Sequence, residues 1–160
     1  MKVKVIEVHP DNCSGCERCE MVCSFHHERE CSVTKSRIKV LKDNVKWAFD
    51  CPILCIQCAE APCIESCSMG ALNRDESTGV VVVDNVCTGC GDCITACPLH
   101  ALALDKEKTI IFKCDLCSGD PECVKWCNRG VLTLAEVDLD SPARKAFVDK
   151  ASEYLQIAGG

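Results

Sequence analysis

The sequence predicts an α+β fold of two small pseudo-repeated halves, built from short strands and helical turns and completed by a C-terminal helix. Three observations predict it. Cysteines fall in quartets, and the quartet occurs four times along the chain. Behind the later quartets the chain steps through small residues and a leucine into short apolar runs of strand length, a self-similarity whose period signals a repeated architecture. The last twenty residues place apolar side chains at helical spacing with charges between them.

Residues 3–8 read as a strand, with Val3 and Val5 on one face and Ile6 and Val8 on the other. The first quartet follows as Cys13-x2-Cys16-x2-Cys19-x3-Cys23, with Gly15 easing its first loop. Ser24 stands where such runs carry proline, so the chain can run on through Phe25-His26-His27-Glu28. Residues 36–41 alternate as a strand, Asp43-Asn44 turns, and residues 45–49 return, a hairpin insertion lying over the first quartet. The second quartet is Cys55-x2-Cys58-x4-Cys63-x3-Cys67, widened around Pro62. After it come Gly70-Ala71-Leu72, a polar turn over 73–79 and a strand over 80–83. The third quartet, Cys87-x2-Cys90-x2-Cys93-x3-Cys97-Pro98, is the fullest. It leads into strands over 100–104 and 109–112, with a charged turn at 105–108. The fourth is Cys114-x2-Cys117-x5-Cys123-x3-Cys127, widened by Gly119-Asp120-Pro121 and followed by a strand over 130–134. Ser141-Pro142 is an N-cap with proline at the first helical position, and Ala146, Phe147, Tyr154 and Leu155 form the apolar face of the tail helix.

The third quartet spells the bacterial run that holds a 4Fe-4S cluster. Three thiolates two residues apart, on a loop loosened by Gly89 and Gly91, wrap three corners of a cube. The fourth lies a helical turn further on and points away, so in two-cluster proteins it ligates the neighbouring cluster. Four quartets use sixteen of the eighteen cysteines, enough for four 4Fe-4S clusters, and leave Cys31 and Cys51 over. Zinc is the first rival, but a tetrahedral site takes two separated pairs, not three thiolates crowded on one loop. Cys51-x3-Cys55-x2-Cys58 also matches the triad of radical S-adenosylmethionine enzymes. That chemistry needs a large barrel this chain cannot supply, and Cys51 reads instead as a small buried apolar residue. His26 and His27 are adjacent and point apart, so they read as structural. Trp126, beside Cys127, shields a cluster from water. No phosphate-cradling glycine loop and no nucleophile–base pair is present, so no catalytic residue is assigned.

Cysteine makes up about 11% of 160 residues, a proportion that in a secreted chain would signal disulfides. The N-terminus has no apolar stretch with a small-residue cleavage site, and no run approaches the length that spans a bilayer, so a cytoplasmic protein without membrane insertion is expected. In a reducing compartment this many thiols imply metal or redox work. A net charge of −6 argues against nucleic acid.

The four quartets resemble those of the four-cluster polyferredoxin subunits of molybdenum and tungsten oxidoreductases, the group of dimethyl sulfoxide reductase and formate dehydrogenase. The compact fourth quartet, from Lys113 to Val124, and the first with its trailing Cys23-Ser-Phe-His-His-Glu28 are most similar to the small subunits accompanying tungsten enzymes of the aldehyde:ferredoxin oxidoreductase type, the benzoyl-CoA reductase complex included. The resemblance covers about residues 3–135. It implies a ferredoxin-like fold and a nested exchange of fourth cysteines. Cys13, Cys16 and Cys19 would join Cys127; Cys114, Cys117 and Cys123 would join Cys23; Cys55, Cys58 and Cys63 would join Cys97; and Cys87, Cys90 and Cys93 would join Cys67. From the residues themselves the second and third quartets pair through a hairpin-like linker, but the linker between third and fourth looks much the same. The resemblance implies a first quartet with its insertion over 1–54, a central two-quartet unit over 55–112, a fourth quartet over 113–137 completing the outer unit, and the tail over 138–160. The implied role is that of a non-catalytic electron-transfer subunit. It would relay single electrons between the tungsten- or molybdenum-pterin cofactor of a catalytic oxidoreductase subunit and ferredoxin or another carrier. A subunit of a hydrogenase or formate dehydrogenase complex, a self-contained reductase and a zinc-stabilised scaffold are the alternatives.

Overall fold

The computed structural model describes residues 2–43 and 49–139, with positions 141, 142, 146, 149 and 152 beyond them. The first strand, β1 (Lys2–Val8), pairs antiparallel with the last, β8 (Leu132–Asp138), with Val5 opposite Ala135 and Ile6 opposite Leu134. Both faces of β1 are covered, which explains apolar residues at 3, 5, 6 and 8. Val3 and Val5 pack with Leu139, while Ile6 and Val8 enter the main core. The two ends of the described chain are therefore joined by one ribbon.

Between them lie β2 (Ile38–Asp43) with β3 (Phe49–Leu54), β4 (Leu72–Arg74) with β5 (Val81–Val83), and β6 (Leu102–Asp105) with β7 (Ile110–Lys113), each pair antiparallel. The returning strand of the first hairpin is described over 49–54; residues 44–48, where the turn and most of the expected return over 45–49 fall, lie outside the described residues. The register sets Ile38 opposite Leu54 and Leu41 opposite Cys51, and so buries Ile38, Cys51, Ile53 and Leu54 together. Pro52, which has no N–H to donate, is tolerated because the pair is two-stranded and β3 is an edge. Cys51 lies within this apolar core.

The two later hairpins share their turn chemistry. Asp75 Oδ1 accepts from the backbone N–H of Ser77 and Thr78, and Asp105 Oδ1 from those of Glu107 and Lys108, so each carboxylate closes its own turn.

Four α-helices follow the cysteine loops. They are α1 (Arg18–Glu28), α2 (Pro62–Glu65), α3 (Asp92–Ala96) and α4 (Glu122–Trp126). α1 is the long one. With serine at 24 the helix runs on through Cys23 and stops where Arg29 turns left-handed, its N–H on Phe25 O. α2 and α4 are short even without a following proline. α1 packs against α4 and α2 against α3, and β1 with β8 closes over the first of these pairs. The main core gathers Ile6, Ile38, Leu54, Leu116 and Leu132, and a smaller one gathers Leu72, Val81, Leu102 and Ile111. Cysteines sit in both, so the apolar core alone is thin. The expected tail helix falls almost wholly outside the described residues; Ser152, one of its described positions, donates its Oγ to Pro98 O at 3.2 Å.

Candidate metal centres

Each loop bends left-handed two residues past its first cysteine. Gly15, Gln57, Gly89 and Leu116 hold that position, with φ of +60, +56, +69 and +61°. Glycine takes this conformation freely, whereas other residues are strained there by roughly 1–2 kcal/mol. At Gly89 space also matters, because a Cβ would lie 2.5 Å from Thr109 O. At 57 and 116 the strain is held by burial, for Gln57 is fully buried and Leu116 nearly so. The bend turns the first two thiols toward the start of the helix, which presents the third.

The folded chain then brings in a fourth thiol from elsewhere. Cys13, Cys16 and Cys19 line a hollow of about 380 Å³ with Cys127. Cys114, Cys117 and Cys123 line one of about 290 Å³ with Cys23, and Cys87, Cys90 and Cys93 another of about 290 Å³ with Cys67. For the remaining trio the fourth thiol is Cys97, which packs against both the core that holds Cys55 and the one that holds Cys63. The packing of α1 on α4 and of α2 on α3 explains these exchanges, because each helix pair carries fourth cysteines across to its partner.

Burial dominates the chemistry of these thiols. It pushes Cys19 up to about 12, with the charge of Glu20 adding, and Cys93 up to about 11, with that of Cys63 adding. Cys67 goes the other way: burial raises it, but the backbone N–H groups of Ala71, Leu72, Met69 and Gly70 outweigh that and bring it below its usual range. Sulfur accepts N–H elsewhere too, at Cys23 from Arg37 (3.3 Å), at Cys97 from Ala101 (3.4 Å) and at Cys87 from Ile111 (3.4 Å). Four converging sulfurs are a soft donor set, since thiolates select iron–sulfur clusters, zinc or copper. The Cys23 hollow offers one more sign of an absent acceptor. Arg37 lines it, and its Nε and Nη1 are buried without a partner among the described residues. Sulfide and thiolate of a cluster there would accept from both, so the residues fit the group.

Two histidines depart from their sequence reading. The rings of His26 and His27 do not diverge but meet edge-on, with centroids 4.8 Å apart. His27 Nε2 lies 3.7 Å from Cys117 Sγ and 3.5 Å from Asp115 Oδ1, a contact no local spacing announces because 90 residues separate His27 from Cys117. His26, His27 and Cys117 together have metal-ligand proximity, but Cys117 already faces the Cys23 hollow. Trp126 lines the Cys127 hollow as the shield expected there, yet stays 54% exposed, its indole N–H on Glu122. Cys16 and Cys90 are exposed.

Among known proteins, the family model of the 4Fe-4S dicluster domain matches residues 45–137. The polyferredoxin-like subunit of aliphatic sulfonate oxidoreductase from Pyrococcus furiosus is 41% identical over 87 residues, covering 54% of this chain and 49% of that protein. The B subunit of the anaerobic dimethyl sulfoxide reductase of Escherichia coli is 30% identical over 52% of this chain and 46% of its own length. The electron transport protein HydN of the same organism is 37% identical over 49% and 46%. The chain spans about half the length of the curated relatives it matches. One polypeptide of the active site complex BamBC of benzoyl-coenzyme A reductase superposes with a TM-score of 0.53 at 25% identity, over 95% of this chain and 90% of that one.

Proposed function

Because the chain belongs to the family of 4Fe-4S dicluster domain proteins, and is thus an iron–sulfur protein with more than one cluster, we propose that it holds four clusters in a row as an electron-transfer subunit. One observation carries this reading: the thiols pack into two adjoining cores. Cys13, Cys19, Cys23, Cys55, Cys114, Cys123 and Cys127 belong to one, Cys63, Cys67, Cys87 and Cys93 to the other, and Cys97 packs against both. We read the row as running from the Cys13 set to the Cys114 set, then to the Cys55 set and the Cys87 set. Of the sixteen quartet cysteines the exposed ones, Cys16 and Cys90, belong to the two end sets, whereas the middle sets have none. Such a row has two exits.

The ligand sets we assign are the four nested ones, Cys13, Cys16, Cys19 and Cys127 at one end and Cys87, Cys90, Cys93 and Cys67 at the other. Residues 1–54 with 113–137 form the outer ferredoxin-like unit and 55–112 the inner one. The β1–β8 ribbon and the two helix pairs support that division. Bound clusters supply one-electron chemistry. The protein's own part is to fix their spacing, to exclude water with core residues, and to set potentials through N–H donors on sulfur.

The partner at one exit is a catalytic oxidoreductase subunit, of tungsten or molybdenum type, and the other exit serves a diffusible carrier such as ferredoxin. The likeness to the BamBC polypeptide and to subunits of sulfonate and dimethyl sulfoxide oxidoreductases supports this choice. Among the described residues no helix is long and apolar enough to cross a membrane. The chain's thiol content suits the reducing cytoplasm. Anaerobic purification with the native partner tests the reading. Iron and acid-labile sulfide near sixteen each per polypeptide are expected, about four of each per cluster, with tungsten or molybdenum in the co-purifying subunit. Zinc without sulfide would overturn it, and nickel in the partner would redirect it to a hydrogenase.

A further inference from the structure

Lys113 ends β7 one residue before Cys114 and is 4% exposed. Its ammonium donates to two carbonyls, Val81 O and Cys114 O, the latter at 2.8 Å. Gln57, fully buried in the loop between Cys55 and Cys58, completes the arrangement. Its Nε2 donates to the same Cys114 O at 3.2 Å, and its Oε1 accepts from Val81 N at 2.9 Å. The four groups form a closed ring that ties β5 and the second and fourth cysteine loops together. Among the described residues no carboxylate pairs with this ammonium, although every other ion-paired lysine of the structure lies near the surface. A buried cation satisfied by neutral carbonyls alone is costly, and it persists where a negative charge close by compensates it. The ammonium thus lies between two cysteine sets, beside Cys114 in the chain and bonded through the shared Cys114 O to the loop that carries Cys55 and Cys58.

We propose that Lys113 is the buried counter-ion of the two middle clusters of the row, and that its fixed positive charge raises the reduction potentials of both. The inference rests on the four-cluster reading above. Each cluster with its four thiolates is anionic and gains one more negative charge on accepting an electron. A cation seated between two of them therefore favours the reduced form of each and lessens the repulsion when both are reduced. Lys113 itself would be neither oxidised nor reduced and would exchange no proton. Gln57 positions the ammonium by donating to the same Cys114 O and by holding Val81 through its N–H.

The test uses the full-length chain with its clusters, titrated anaerobically with dithionite and mediators and followed by electron paramagnetic resonance, signals being assigned from variants that each lack one cluster. Lys113→Met removes the charge at similar length, Lys113→Gln removes it while keeping hydrogen bonds to carbonyls, and Lys113→Arg keeps it. In the charge-free variants the reduced-to-oxidised ratio of the two middle clusters at fixed potential should fall about tenfold, equivalent to about 59 mV for a one-electron couple. The end clusters should move less, and Lys113→Arg should stay near wild type. Unmoved middle potentials in a charge-free variant with full iron content would overturn the proposal. So would equal shifts in Lys113→Arg, or loss of iron from both charge-free variants, since either makes the residue purely architectural. A wild-type protein with no iron or sulfide would instead strike down the four-cluster reading itself.

Discussion

Cys127 and Cys23 stand at the ends of their own quartets yet face other loops. Cys127 lines the hollow of Cys13, Cys16 and Cys19, and Cys23 that of Cys114, Cys117 and Cys123. Cys127→Ala is therefore expected to abolish the cluster of the first loop and leave the fourth-loop cluster in place, with iron falling from about sixteen to about twelve. Cys23→Ala should do the reverse. Iron assay with resonance spectra of both variants checks this, and a loss confined to each cysteine's own loop would refute the exchange. The same thiols set a pH dependence. Burial lifts Cys19 to about 12 and Cys93 to about 11, from an ordinary value near 9, so both stay protonated through the neutral range. Iron must displace those protons, so loading weakens as the pH falls and strengthens as it rises toward those values. Reconstitution followed in a weakly buffered medium should release protons, about one for each thiol bound. The quartets themselves could be read from spacing, as could the conformational need at Gly89. The left-handed turns at Gln57 and Leu116 could not, because nothing in either residue type asks for them.

At the scale of elements, the loop that opens the third quartet is the least tolerant. Gly89 is left-handed, and a methyl there would also meet Thr109 O and the Leu104 side chain. Gly89→Ala should cost roughly 1–2 kcal/mol from the backbone alone, and more from the clash. The expected outcome is selective loss of the Cys87 cluster together with a lower melting temperature, measured by iron content and thermal unfolding. Gly91, with open space around it, should tolerate the same change better despite its positive φ. Strands were legible where one face alternates or where turns are polar, as in β1 and the β4–β5 and β6–β7 hairpins. The run over 49–54 was not, because only its register against β2, which buries Ile53 and Leu54 with Ile38, marks it as a strand.

For the whole molecule, the β1–β8 ribbon ties the first cysteine loop to the last, and the core between carries many thiols among its aliphatic side chains. The hollows that the cysteine sets line are bounded by apolar core residues such as Ile38, Leu54 and Ile111, so bound clusters would extend the packing of that core. Metal binding to sites missing from the unfolded chain is folding free energy. Stripping iron with an anaerobic chelator should therefore remove much of the folded structure cooperatively. Far-ultraviolet circular dichroism before and after, at matched pH, checks this; a protein whose spectrum and melting temperature survive complete removal would show that the apolar core suffices.

The sequence by itself determined the number of thiols, their grouping and, at Gly15 and Gly89, the local bends that let three of them converge, because those depend on spacing and on residues within one turn of the chain. It did not determine which distant thiol joins each trio, that Lys113 and Gln57 both donate to Cys114 O, or that His27 reaches Cys117. Those depend on helices packing in pairs and on the first strand lying against the last, contacts between residues separated by as many as 136 positions. Tertiary structure decided them because proximity across the fold is fixed by burial of whole elements, and no short window of residues encodes it.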